Sequence, residues 1–152
     1  YGATSGKLFA AGQVGDRFAV RNSGATTVVE GCDSNGCEYM TGGIVVILGN
    51  VGDNFAAGMT GGMAFIYDKS NEFGKKVNPE SVVWQNIETE YWISFLKSIV
   101  LEHFKETGSL ISKNIMTNFK EEIKNFVQVC PKEMIDKLEN PITQKPKIKD
   151  VS

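Results

Sequence analysis

Apolar residues follow two rhythms along this chain. Up to residue 68 they come in short runs framed by glycine; beyond it they recur at helical spacing. Four early segments align: Ser5-Gly6-KLFAA-Gly12, Ser23-Gly24-ATTVVE-Gly31, Thr41-Gly42-GIVVIL-Gly49 and Thr60-Gly61-GMAFIY-Asp68. Their leading hydroxyl residues are spaced by 18, 18 and 19 positions. A longer pair, GQVGDRFA at 12–19 and GNVGDNFA at 49–56, repeats at an offset of 37, two such periods. A fixed short period means stacked units, none of which buries its apolar face alone.

The pieces between these runs are short, bear glycine and lack a 3.6-residue pattern. They read as a second short strand and tight turns, marked by Phe18 and Phe55. The expected unit is therefore one coil of a β-helix, rising about 4.8 Å per coil. In that reading the hydroxyl-glycine pair is a corner, not a phosphate cradle, because a cradle is needed once. Glycine there allows positive φ and close approach of the next coil. The hydroxyls of Ser23, Thr41 and Thr60 suit turn hydrogen bonds. Ile44 to Leu48 is apolar at both alternating sets, so this strand is expected to be covered on both faces. Val28-Val29 and Phe65-Ile66-Tyr67 are its expected neighbours. Ala10, Ala11, Ala19, Ala56 and Ala57 suit a narrow interior.

In the second half, Ile87, Tyr91, Trp92, Phe95, Leu96, Ile99, Val100 and Phe104 make a helical stripe. Thr89 or Asn86 as cap and Gly108 as stop bound a helix over about 87–107. Leu110, Ile111, Ile115, Met116, Phe119, Ile123 and Phe126 predict another helical stretch, broken near Asn118. FVQVC before Pro131 reads as a short strand, followed by a helical turn, KEMIDKL. The resulting division is a β-helix over 1–68, a helical extension over 69–138 that covers or wraps it, and a disordered tail over 139–152.

Composition supports the division. Fourteen of the sixteen glycines and only nine charged residues lie in 1–68. The net charge is −2, which gives no electrostatic case for nucleic acid or an anionic membrane. No apolar run nears the roughly 20 residues of a membrane helix. With no secretory signal and three cysteines, a reduced, cytoplasmic setting is expected. The chain opens at Tyr1, without Met, and its first coil has no cap upstream. Both features suggest a piece of something longer, whose missing neighbour covers that edge.

Candidate chemistry is sparse. No Gly-x4-Gly-Lys-[Ser/Thr] loop occurs, and no Gly-x-Gly-x-x-Gly opens a helix. Cys32 and Cys37 are the close cysteine pair, with Cys130 and His103 distant in sequence, too few for a zinc or iron–sulfur site. His103 is expected to be a partly exposed residue favoured by the helix dipole. Asp16, Asp33 and Asp53 suit turns. No catalytic, cofactor-binding or metal-binding residue is assigned.

YGATSGKLFAAGQVGDRFAVRNSGATTVVEG and GCEYMTGGIVVILGNVGDNFAAGMTGGMAFIYD resemble the C-terminal GXGXG domain of the glutamate synthase large subunit. The resemblance continues through VNPESVVW, EHFKETGS and FVQVCPKEM, to about residue 138. It implies a right-handed, single-stranded β-helix of about four coils. It also implies a parent oxidoreductase with a glutaminase domain, an FMN barrel and a 3Fe-4S cluster. That parent makes two glutamates from glutamine, 2-oxoglutarate and a reductant, in some cases with a small reductase subunit. The family's cluster-binding cysteine run and amino-terminal cysteine are absent here. The resemblance thus implies a structural, interdomain element whose partners are the glutaminase and FMN-binding domains. A stand-alone subunit like that of formylmethanofuran dehydrogenase is the alternative. A hexapeptide acyltransferase shares the 18-residue coil, but six-residue spacing fails where Val28 is followed by Ser34.

Overall fold

The computed structural model describes residues 7–9, 23–30, 40–49, 51–52, 55–56, 58–68, 73–77, 80, 82–132 and 134. The expectations for Phe18, Cys32, Cys37, Asp16, Asp33, Asp53, Ala10, Ala11, Ala19, Ala57 and the tail lie outside them. Four strands come first: β1 (Lys7–Phe9), β2 (Ser23–Val29), β3 (Thr41–Ile47) and β4 (Gly61–Tyr67). A 3-10 turn at Phe73–Lys75 leads to β5 (Val82–Asn86). Three helices follow, α1 (Glu90–Thr107), α2 (Leu110–Thr117) and α3 (Phe119–Glu122), and then β6 (Phe126–Pro131).

The repeat sets the ladder. β1 to β4 pair in parallel in chain order, with Val28 opposite Val46 and Val46 opposite Phe65. The β2–β3 pairing carries a register shift between Ser23 and Thr26. Register shifts fall between Thr41 and Ile44, where Gly43 sits at φ 88°. An extra residue there is a bulge that glycine accepts without strain.

The β-helix expectation is overturned. The strands form one mixed six-stranded sheet, ordered β1-β2-β3-β4-β6-β5, with helices on it. A coil requires a second ladder behind the first. Among the described residues, only an isolated parallel bridge from Phe55 to Val77 lies outside the sheet. Two strands of the second half instead join the first four. β6 runs antiparallel to β4, and β5 antiparallel to β6. The edge after the last repeat is thus covered by main-chain pairing from FVQVC.

Both faces of the sheet's central strands β3 and β4 are buried. On one face Val28, Val46, Leu48 and Phe65 pack against Trp92, Leu96, Ile99 and Val100 of α1. Phe65 lies 5.9 Å from Trp92 and 6.1 Å from Phe95, ring centre to ring centre. On the other, Val45, Ile47 and Ala64 meet Val51, Phe55, Met59, Phe73 and Val77 from connecting segments. Ile44 to Leu48 therefore fills two cores, as its unbroken apolar run requires.

The helices obey their caps. Thr89 accepts the Trp92 amide at 3.4 Å, and Gly108 closes α1 in the left-handed region at φ 71°. Asn118 divides the second stretch into α2 and α3, where the sequence predicts a break.

Candidate functional site

Polar groups converge where the two halves meet. His103 lies in the last turn of α1, and the Thr107 hydroxyl donates to its carbonyl at 2.8 Å. The chain then turns at Gly108, and Ser109 stands as the cap before α2. The Ser109 hydroxyl caps α2 by accepting the Ser112 amide at 3.2 Å. It also donates to the Glu30 carboxylate, at the end of β2. The same carboxylate oxygen lies 3.7 Å from His103 Nε2. One carboxylate therefore joins the sheet to the turn between two helices.

His103 is fully buried, contrary to the partly exposed position expected from sequence. Burial pushes its pKa below the ordinary histidine value, and the Glu30 charge opposes this only partly. That shift favours the neutral imidazole. The group contains a glutamate, a histidine and a serine, but not in a nucleophilic relay. The serine hydroxyl is committed to Glu30 and to the α2 amide, and Ser109 is buried. A relay needs that hydroxyl on the imidazole. This arrangement fastens helices to strands.

Sequence reasoning missed two members. Ser109 carried a signal, a serine directly before an apolar helical run. Glu30 carried none, because its partners come from the other half of the chain. Cys130 sits fully buried in β6, and burial raises its thiol to about 11. Among the described residues no three His, Cys, Asp or Glu side chains cluster to hold a metal. Among them, too, no helix is long and apolar enough to cross a membrane.

A second feature lies at the other side of the sheet. Asn86 pairs with Val127, and Tyr67 pairs with Phe126, so the ends of β5, β6 and β4 come together. A pocket of about 300 Å³ opens there, lined by Asp68, Phe73, Gly74, Trp84, Asn86 and Val127 among others. Nothing in the sequence marks it.

Gly62, in β4, has a packing reason to be glycine. A Cβ on Gly62 would lie 2.7 Å from Met40 Cε and 2.8 Å from the Gly42 carbonyl carbon and oxygen. Gly62 lies inside β4 and Gly42 inside β3, so these glycines are not coil corners as expected from sequence; at Gly62 the close approach of the β3 backbone leaves no room for a side chain.

Comparisons with known proteins agree with the sequence resemblance. The chain is 60% identical over 142 residues to the NADPH glutamate synthase large chain of Azospirillum brasilense, covering 93% of this chain and 9% of that one. It is 46% identical over 149 residues to the NADH glutamate synthase of Schizosaccharomyces pombe, covering 98% and 7%. It is 45% identical over 131 residues to a ferredoxin-dependent glutamate synthase of Synechocystis, covering 86% and 8%. The chain spans less than a tenth of the length of these relatives. The GXGXG motif family model matches residues 1–132, and the chain belongs to that family.

Proposed function

We propose that this chain is a non-catalytic, structural module of a glutamate synthase large subunit. The observation that carries the reading is the similarity running through 93% of the chain to a glutamate synthase large chain. The buried polar groups fit it, since Glu30 and Ser109 are spent on holding helices to the sheet. The partners are the glutaminase and FMN-binding domains of the same large subunit, with a small reductase subunit in some parents. FMN and the 3Fe-4S cluster belong to those partners. The parent reaction converts glutamine, 2-oxoglutarate and a reductant into two glutamates, in the cytoplasm. Relatives named for NADPH, NADH and ferredoxin share this segment at 45–60% identity, which supports a structural role common to them rather than one tied to a particular reductant.

The test mixes this chain with a large subunit from the same organism that lacks the segment. Size-exclusion chromatography should give a one-to-one complex, and glutamine-dependent oxidation of the reductant should recover. A folded chain that elutes alone and restores nothing would sink the reading.

A further inference from the structure

We draw no further inference here: the strongest candidate, the outward side of α1 and α2 where Tyr91, Leu101 and Leu110 are exposed, carries nothing because nothing in the structure shows what covers it.

Discussion

Glu30 and His103 face each other across 3.7 Å, one at the end of a strand and the other at the end of a helix. The contact joins a segment of the glycine-rich half to one of the helical half. It also makes stability depend on pH in a definite direction. Burial depresses the His103 pKa in the folded chain. The unfolded chain then binds the proton more readily. The resulting stabilisation is complete above the ordinary histidine value of about 6.5 and is lost as pH falls through the depressed folded value. Urea midpoints measured from pH 8 down to pH 5 should fall more steeply for wild type than for His103→Gln. Parallel curves would show that His103 does not titrate with unfolding.

Ser109 carries two bonds with one hydroxyl. Ser109→Ala removes the α2 cap and takes one hydrogen-bond donor from the Glu30 carboxylate. The expected cost is about 1–3 kcal/mol, read as a lower urea midpoint at unchanged slope. Ser109→Thr keeps the hydroxyl and should recover most of the loss. Equal effects of the two substitutions would count against the hydroxyl and in favour of simple crowding.

Two glycines with similar backbone angles should respond differently to alanine. Gly62 has φ 82° and would press a Cβ into the Gly42 backbone. Gly108 has φ 71° and nothing within 4 Å of that position. Gly108→Ala should cost only the left-handed penalty, about 1–2 kcal/mol. Gly62→Ala adds a backbone collision and should cost about 3 kcal/mol or more. Thermal melts of the pair check the order. Equal losses would mean that β3 and β4 have room to separate at Gly42 and Gly62.

What the sequence disclosed follows from what a repeat encodes. A spacing of 18 or 19 residues fixes which residues sit side by side, and Val28, Val46 and Phe65 are neighbours as expected. Such a spacing does not encode what the intervening residues do. The β-helix reading supplied a second ladder there, and Phe55 supplies a single bridge. FVQVC was legible as a strand, but its partner β4 was not, because antiparallel pairing between distant segments leaves no periodic mark. VVWQN escaped notice for a similar reason, being short and half polar. The helices were legible because caps are local: Thr89 and Gly108 act on residues three or four positions away. The Glu30–His103–Ser109 cluster is assembled by the fold alone, so only the Ser109 cap could be read.

Cys130 should behave as an inert thiol in the folded chain. It is fully buried, and its pKa is raised to about 11, so little thiolate exists at pH 8. Iodoacetamide labelling, mapped by peptide mass spectrometry, should modify Cys130 only under unfolding conditions. Its labelling rate should follow the opening of β6. Rapid labelling of Cys130 in buffer would show that β6 detaches from β4 well below global unfolding.

Gln128 presents the opposite case, a polar side chain with an unmet need. It is fully buried in β6, opposite Phe65. Its amide nitrogen contacts the Met63 sulfur at 2.9 Å, and sulfur is a weak acceptor. Its Oε1 has no hydrogen-bond partner among the described residues. A buried, unsatisfied carbonyl costs about 1–3 kcal/mol, and replacing it with an apolar group of similar shape removes that cost. Gln128→Met is close in volume and keeps the β6 backbone pairing. The weak N–H to sulfur contact is all that the substitution gives up. The variant should therefore be more stable than wild type by about 1 kcal/mol, seen as a higher urea midpoint. A loss of more than about 1 kcal/mol would mean that the amide oxygen is satisfied in solution by a bound water or another group, and that Gln128 orders the β4–β6 junction.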